Sequence, residues 1–422
     1  MLIISLLIVS IYFLLNVGLV VVWLRNPLPT SPDGGGEKAS SLPIGEGRGD
    51  RRFGGVGISV IIPVRNEAKN ILFLLQDLEK QTYPKDRFEV IIADDNSSDD
   101  TLKIIQAFQK STAISLIINQ LPLKNGNTSP KKRAIDSSIR LAKFGLITTT
   151  DGDCRVGDKW LETIADFQEK TGAYLVSGAV TFLNSVSSAT LRHRSRELVS
   201  DNSRELVPER SRRQQFISNI QIIEFASLIG TGACAMFAGK PNMCNGANLT
   251  YLKTVFYEVG GFAGNEQLAS GDDEFLMHKV AAKYPEKVQF LKSQNVIVET
   301  QAHDSWRSFY NQRKRWASKW KHYNNWQITA LAVFVFSANF VLLLALGFWL
   351  SAFISTEWFC LILFLKFSVE FVFLSLIVSF LRKKHLIWLI PFVQIIYPFY
   401  VTFFGIIAQG KNDYIWKGRK LS

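Results

Sequence analysis

Long apolar segments lie near both ends of the chain and flank a central part with shorter hydrophobic periods. Residues 2–24 contain no charged residue and are long enough, at about 1.5 Å per residue, to cross a hydrocarbon core of about 30 Å as a helix. A secretory signal peptide would instead have a basic start, a shorter apolar stretch and a cleavage site of small residues. The pattern therefore predicts a transmembrane anchor over residues 1–25.

Three apolar segments follow near the carboxyl end, at residues 328–353, 358–380 and 386–408. They predict a transmembrane region of two or three segments over residues 326–410. Two prolines and a glutamine interrupt the last segment, so it either crosses the membrane or forms a bent hairpin or an interfacial element. We therefore expect a multi-pass membrane protein.

Basic residues next to these segments predict which side of the membrane the central part faces. They lie at Arg25 after the anchor, at residues 313–321 before the carboxyl-terminal region and at residues 382–385 within it. Because positive residues are enriched on the cytoplasmic side, the central domain is expected in the cytoplasm. The basic tail, residues 411–422, agrees with this orientation only if the last apolar segment does not cross fully.

The central part has two kinds of composition. Residues 26–57 are rich in Pro, Gly, Ser and charge and predict a flexible linker, because they cannot bury enough apolar area to offset chain ordering. From residue 58, short β-rich runs alternate with amphipathic stretches, which predicts an α/β domain with a doubly wound, mostly parallel sheet. This domain is expected over residues 58–325, interrupted by a polar surface insertion at residues 186–215.

The charge balance narrows the choice of partner. The 48 Lys and Arg exceed the 36 Asp and Glu, which gives a formal charge of +12 and suggests either nucleic acid or an anionic membrane surface. No zinc-finger spacing or RNA-binding motif accompanies the charge, and basic residues cluster beside the apolar segments. The membrane is therefore the expected partner, and no nucleic acid is expected. The four cysteines lack the spacing of a disulfide scaffold, which fits a reducing cytoplasm.

Acidic residues cluster at three places where predicted strands or turns end. The clusters are Asp94-Asp95, Asp151-Gly152-Asp153 and Asp272-Asp273-Glu274. Carboxylates so concentrated repel one another unless a cation or a hydrogen-bond donor lies among them, and α/β sheets bind ligands at the carboxyl ends of their strands. Oxygen ligands suit a hard divalent ion, so Mn²⁺ or Mg²⁺ is the expected cofactor. Cys154 is expected to be a buried neutral thiol, because hard cations prefer oxygen.

Eight motifs in residues 58–316 follow one another in a familiar order. They are ISVIIPVRNE, IIADDNSSDDT, PKKRAI, TTTDGDC, CNGANL, GGF, SGDDEFL and QRKRW. Together they resemble the family 2 glycosyltransferases, and the layout of anchor, domain and carboxyl-terminal segments is similar to that of the chitooligosaccharide, hyaluronan and cellulose synthases. The resemblance implies a GT-A-like fold and an inverting transfer of a sugar from a nucleotide-sugar donor to a lipid or saccharide acceptor at the cytoplasmic membrane face.

The resemblance also implies roles for residues that match the motifs. Those that would bind the donor are Pro63, Arg65, Glu67, Asp94, Asp95, Lys131 and Asp151. Asp95 would hydrogen-bond the base, and Lys131 would approach the diphosphate, although Lys132 is a close competitor. Asp153 would bind the metal that bridges the phosphates, with Asp151 beside it as a second ligand or as a contact to the sugar or ribose.

On the acceptor side, the resemblance implies that Asp273 is the general base. Asp272 remains an alternative, because the chain has an Asp-Asp pair where the family more often has Glu-Asp. Gln312, Arg315 and Trp316 match a motif of many processive members and would contact the acceptor or the diphosphate; the alternative is an interfacial Arg/Trp cluster that anchors the next helix. Residues 244–248 form either a turn near the acceptor or a purely structural turn.

Several functional hypotheses stay open at this point. The leading donor is a UDP-sugar, UDP-glucose or UDP-N-acetylglucosamine, with GDP-mannose second. The alternatives to a single transfer are a processive polysaccharide synthase and a catalytically silent membrane protein that binds a nucleotide sugar. A dinucleotide oxidoreductase is disfavoured, because no G-x-G-x-x-G follows the first strand.

Overall fold

The computed structural model describes most of the chain. The described residues are 2–28, 55–122, 129–183, 212–266, 268, 270–303, 305–318, 326–407, 414–416 and 419–421. Most of the expected linker and of the expected insertion lie outside them. The insertion was predicted to end at residue 215, but its last residues, 212–215, already belong to a long helix.

The strands form one large sheet and two small ones. The large sheet has seven strands, with β7 between β4 and β5. The pairs β1–β2, β2–β3, β1–β4 and β5–β8 are parallel, whereas β7 is antiparallel to both of its neighbours. The strands are β1 (Ile58–Val64), β2 (Phe88–Asp94), β3 (Ser115–Gln120), β4 (Leu146–Thr149), β5 (Leu175–Gly178), β6 (Val180–Phe182), β7 (Leu249–Leu252), β8 (Val288–Leu291), β9 (Val298–Thr300), β10 (Tyr414–Trp416) and β11 (Arg419–Leu421).

The central strands are apolar runs because both of their faces are buried. Every residue of β2 is buried, and all but one residue of β1. Parallel strands covered by helices on both sides have this continuous hydrophobic pattern. The prediction of a doubly wound, mostly parallel α/β sheet is therefore confirmed.

Two groups of helices surround the sheet. The shorter ones alternate with the strands, and the longer ones lie in the terminal parts and before β7. The helices are α1 (Leu2–Arg25), α2 (Ile71–Glu79), α3 (Thr101–Gln109), α4 (Pro130–Leu141), α5 (Trp160–Thr171), α6 (Arg212–Phe237), α7 (Lys253–Glu258), α8 (Asp272–Lys283), α9 (Trp306–Ser318), α10 (Trp326–Leu350), α11 (Thr356–Phe380) and α12 (Ile390–Ile407).

Among the described residues, five helices are long and apolar enough to cross a membrane. Four of them coincide with segments that the sequence predicts: Leu2–Arg25, Ile328–Leu350, Thr356–Phe380 and Lys384–Ile407. The fifth, Gln214–Phe237, is not among the predicted segments; it is less hydrophobic than the other four and is largely buried. The five helices indicate association with a membrane.

Helix α1 is bonded to the edge of the sheet by Lys292, which follows β8. The Lys292 ammonium donates hydrogen bonds to the backbone oxygens of Trp23, at 2.6 Å, and Asn26, at 2.5 Å. It also lies 3.8 Å from the centre of the Trp23 ring. A cation at the carboxyl end of a helix satisfies orphan carbonyls and the helix dipole. The sheet and the apolar helices therefore share one hydrophobic core that includes Trp23.

Candidate active site

One cavity of about 1290 Å³ opens at the carboxyl ends of β1, β2 and β4. Its volume exceeds the range of about 300 to 1,000 Å³ that is usual for a single small ligand. Nearly every residue that the sequence singles out lines it: Pro63, Arg65, Glu67, Asp95, Lys131, Asp151, Asp153, Asp272, Asp273, Gln312, Arg315 and Trp316. The structure thus brings together motifs that are more than 250 residues apart in the chain.

Asp94 is the exception among the predicted donor-binding residues. Its carboxylate is buried and accepts a hydrogen bond from the hydroxyl of Ser97, at 2.5 Å, and from the Ser97 backbone N–H. It does not line the cavity. A carboxylate used in this way stabilises the loop after β2, and the contact of Asp94 with the donor stays a prediction that the cavity lining does not support.

Asp95 lies at the end of the cavity where β1 and β2 finish. Its carboxylate is buried and lies 2.9 Å from the Nη2 of Arg133 and 3.9 Å from the Nη1 of Arg65. The loop is sharply turned, because Asn66 and Asn96 have positive φ angles of 55° and 56°, which asparagine tolerates better than most residues. Arg133 is not among the predicted site residues, although it lies two residues after Lys131 in the same motif.

Lys131 faces the acidic residues. Its Nζ lies 2.8 Å from Asp151 Oδ1 and 3.5 Å from Asp272 Oδ2. Burial favours the neutral amine, but the nearby carboxylates outweigh it and raise the pKa of Lys131 above its ordinary value. Lys132 points elsewhere: its buried ammonium donates to the backbone oxygen of Asn265 at 2.5 Å. Of the two lysines, only Lys131 therefore faces the carboxylates of the cavity.

Asp151 and Asp153 flank a closely packed turn at Gly152. A Cβ on Gly152 would lie 2.9 Å from Val64 Cγ1 and 3.1 Å from Glu67 Cγ. Cys154 is buried, and burial, followed by the charges of Asp153 and Asp151, raises the pKa of its thiol well above the ordinary value. A thiol in these surroundings stays neutral.

The two carboxylates of this turn suit a cation whose other ligands come from a bound phosphate and water. Within the part of the chain that the structure describes, no group of three or more His, Cys, Asp or Glu side chains could hold a metal ion unaided. Mg²⁺ and similar ions that bind phosphorylated substrates need only one or two carboxylates, since phosphate and water supply the other ligands. Asp151 and Asp153 fit this requirement.

Asp272 and Asp273 begin helix α8, where the helix dipole favours negative charge. Asp273 Oδ2 accepts a hydrogen bond from the backbone N–H of Gly246 at 2.8 Å, and its Oδ1 accepts one from Glu274 N–H at 2.8 Å. A Cβ on Gly246 would lie 3.2 Å from Asp272 Oδ2. The close turn at Gly246 therefore fixes the orientation of the Asp273 carboxylate.

The same turn has a second, structural part. The side chain of Asn248 is buried in the core, where it accepts a hydrogen bond from Trp160 Nε1 at 3.1 Å. It donates to the backbone oxygens of Ala179, at 2.9 Å, and Val296, at 2.6 Å. Within residues 244–248, Gly246 thus orients the Asp273 carboxylate at the cavity, and Asn248 bonds neighbouring segments in the core.

The cavity continues from the carboxylates into the layer of apolar helices. Side chains from α1, α6, α10, α11 and α12 line this part: Leu15, Leu19, Ile223, Leu228, Leu331, Val335, Phe336, Phe373, Val401 and Phe404. Helix α9 contributes Gln312, Arg315 and Trp316 to the lining. A single space therefore joins a charged end to an apolar end.

Comparisons with known families agree with this architecture. The model of glycosyl transferase family 2 matches residues 59–241, and the model of glycosyl transferase family 21 matches residues 205–422. The chain belongs to these family 2/21 glycosyltransferases.

Relatives in other organisms match shorter stretches. Glycosyltransferase AglE of Haloferax volcanii is 37% identical over 125 residues, which cover 30% of this chain and 40% of AglE. Poly(ribitol-phosphate) β-N-acetylglucosaminyltransferase TarS of Staphylococcus aureus is 31% identical over 109 residues, which cover 26% of this chain and 18% of TarS. The chain thus aligns with less than half the length of either relative.

A solved structure extends the similarity to nearly the whole fold. The mannosyltransferase PcManGT from Pyrobaculum calidifontis, in complex with GDP-Man and Mn²⁺, superposes with a TM-score of 0.53 over 94% of this chain and 99% of that chain, at 15% identity. The prediction of a GT-A-like sheet with long apolar helices at both ends is confirmed.

Proposed function

We propose that this chain is an inverting glycosyltransferase that moves one sugar from a UDP-sugar to a lipid acceptor at the cytoplasmic membrane face. The observation that carries the proposal is the cavity that joins the carboxylates to the apolar helices. A water-soluble donor suits the charged end, and an acceptor with a hydrocarbon part suits the other. The basic residues beside the apolar segments support the cytoplasmic orientation.

On the donor side, Asp95 would hydrogen-bond the base, and Pro63, Arg65 and Glu67 would shape the pocket around base and ribose. Asp153, with Asp151 as its neighbour, would hold Mn²⁺ or Mg²⁺. The ion would supply Lewis-acid stabilisation of the charge on the leaving diphosphate. Lys131, which is held protonated by the adjacent carboxylates, would neutralise further phosphate charge.

On the acceptor side, Asp273 would take the proton of the attacking hydroxyl. The hydroxyl oxygen would form a bond to the anomeric carbon of the donor sugar as the bond between that carbon and the diphosphate oxygen breaks. Attack from the face opposite the leaving group inverts the configuration. The hydrogen bonds from Gly246 and Glu274 hold the Asp273 carboxylate in place for this step. Asp272 is the second candidate for the base. Its Oδ2 lies 3.5 Å from Lys131 Nζ, which places it beside the lysine that would bind the diphosphate.

The donor sugar is the finer part of the proposal. N-acetylglucosamine is supported by the name of TarS, an N-acetylglucosaminyltransferase, and glucose is proposed beside it. GDP-mannose is second, because PcManGT is a mannosyltransferase seen with GDP-Man.

A processive synthase of the chitooligosaccharide, hyaluronan and cellulose branch is the alternative, supported by Gln312, Arg315 and Trp316 at the cavity wall.

We also propose the predicted division of the chain into an anchor at residues 1–25, a catalytic domain at residues 58–325 and a membrane region at residues 326–410. Helix α6 is a further apolar helix within the catalytic domain.

The test is a donor screen on the purified full-length chain in detergent. Mn²⁺, extracted membrane lipids and one of UDP-glucose, UDP-N-acetylglucosamine or GDP-mannose are supplied, and product masses are read. We expect one sugar added to a lipid from one UDP-sugar. A ladder of sugars would instead support the processive alternative, and binding of donor without any product would support the catalytically silent one.

A further inference from the structure

Arg313 on α9 is buried where three helices meet, next to the residues of the cavity wall. Its side chain is 3% exposed. Its Nη2 donates a hydrogen bond to Oε2 of Glu224 on α6, and its Nη1 donates to Gln312 Oε1 at 3.0 Å. The hydroxyl of Tyr400 on α12 donates to the other Glu224 oxygen at 2.9 Å. We call Arg313, Glu224 and Tyr400 the three-helix network.

The Arg313 guanidinium also stacks on two rings of its own helix. Its central carbon lies 4.8 Å from the centre of the Phe309 ring and 4.3 Å from that of Trp316. The Trp316 ring in turn lies 5.7 Å from Phe225, the residue after Glu224. Arginine suits this position better than lysine, because a planar guanidinium can stack and donate to two acceptors at once.

An ion pair at this place is not the most stabilising choice. Glu224 lies in the middle of an apolar helix, where a charge is costly unless it is paired. Buried pairs often stabilise a fold no more than well-packed apolar side chains would. Their directional hydrogen bonds can instead fix the orientation of neighbouring groups, and here the neighbour is Gln312.

We infer that the three-helix network is a positioning device that sets the Gln312 amide and the Trp316 ring at the cavity wall. Arg313 holds the Gln312 oxygen, so the Gln312 NH₂ group is the part presented to the cavity as a hydrogen-bond donor. Glu224 in turn holds Arg313, and Tyr400 holds Glu224. Arg313 is therefore a positioning residue, although it lies outside the Q-x-x-R-W positions that resemble the motif of many processive members.

The inference rests on the proposed function, because it assigns the network to the acceptor half of that site. The base pocket at Asp95 and the turn at Asp153 lie on other elements, after β2 and β4. Loosening the network should therefore impair use of the acceptor and leave binding of the nucleotide unchanged.

The experiment compares Tyr400→Phe, Glu224→Gln and Arg313→Lys with the wild-type chain. The matched control is Tyr310→Phe on α9, the helix that carries Arg313. The ring of Tyr310 packs on Phe404, with ring centroids 5.8 Å apart. Acceptor KM and kcat are measured with saturating donor, and the Kd of UDP with Mn²⁺ is measured by titration. We expect a loss of about tenfold in kcat/KM for the acceptor in Tyr400→Phe, larger losses in the other two, and an unchanged Kd for UDP.

A double-mutant cycle distinguishes positioning from simple helix adhesion. If the network acts through Gln312, then Tyr400→Phe should have a much smaller effect in a Gln312→Ala background than in the wild-type chain. Additive effects, or variants that lower only the melting temperature and keep acceptor kinetics, would overturn the inference. Absence of turnover in the wild-type chain with every donor would overturn the proposed function itself, so the two failures are distinguishable.

Discussion

The Nζ of Lys131 lies 2.8 Å from Asp151 Oδ1, in an ion pair that joins the start of α4 to the turn after β4. Asp272 approaches the same ammonium from α8, at 3.5 Å. A cation is thus placed among carboxylates that would otherwise repel one another, at the point where the proposed diphosphate would bind.

Removing this cation should impair transfer more than it impairs folding. We expect Lys131→Met to lower turnover of the nucleotide sugar by about 10²- to 10³-fold, the usual loss for one electrostatic contact to a transition state. Lys131→Arg should retain part of the activity, since it keeps the charge. Lys110→Met, at an exposed position, is the matched control, and release of the nucleoside diphosphate is the measurement. Full activity of Lys131→Met would contradict the assignment.

Lys132 gives a contrasting prediction. Because its buried ammonium hydrogen-bonds Asn265, Lys132→Met should mainly lower the melting temperature of the detergent-solubilised chain. The protein that remains folded should still bind UDP. A Lys132→Met variant with wild-type stability and no UDP binding would exchange the roles of the two lysines.

Metal dependence should reside at Asp153. We expect Asp153→Ala to abolish the Mn²⁺-dependent binding of UDP, because the ion would lose the carboxylate that ties it to the protein. Asp158→Ala, a few residues further on and exposed, should bind normally. In the wild-type chain a chelator should stop turnover and excess Mn²⁺ should restore it. Turnover that persists in the presence of the chelator would show that the reaction does not require the metal.

The two candidate bases can be separated by isosteric substitution. We expect Asp273→Asn to lower kcat by about 10²- to 10⁴-fold, the range for loss of a general base, while the Kd of the donor stays nearly constant. Asp272→Asn should have the smaller effect on kcat and a larger one on donor affinity, since Asp272 lies near Lys131. The reverse order would move the proton transfer to Asp272.

Asn248 should matter for stability and only indirectly for catalysis. Asn248→Ala removes three hydrogen bonds in the core and leaves partners unsatisfied, which should cost about 2 to 4 kcal/mol of stability. Thermal unfolding in detergent would show a clear fall in melting temperature. Asn295→Ala, at an exposed position, is the control and should unfold like the wild-type chain.

Much of the fold could be predicted from the sequence, because its strands are continuous apolar runs separated by amphipathic helices. The strand β7 could not be placed in this way. Its four residues carry no sign of direction, and only the pairing with β4 and β5 makes it antiparallel. Helix α6 was missed for a different reason: it contains Glu224, whose charge is compensated by Arg313, 89 residues later in the chain.

Within the site, the types of residue could be predicted but some individual roles could not. Lys131 and Lys132 are adjacent, and only the packing of α4 decides which one faces Asp151. Asp94 and Asp95 differ in the same manner, because the loop after β2 uses one carboxylate for Ser97 and turns the other towards the cavity. Arg133 and the three-helix network depend on contacts between distant segments, which no local motif reveals.

In the proposed mechanism Asp95, Asp153 and Asp273 act on one nucleotide sugar in one shared site. An experimental structure of the full-length chain with UDP and Mn²⁺, in which the anomalous signal locates the ion, tests this most directly. We predict that Mn²⁺ binds the Asp153 carboxylate and the diphosphate, with the base against Asp95 and Asp273 facing the same cavity. An ion bound away from Asp153, or UDP bound outside the cavity, would contradict the account.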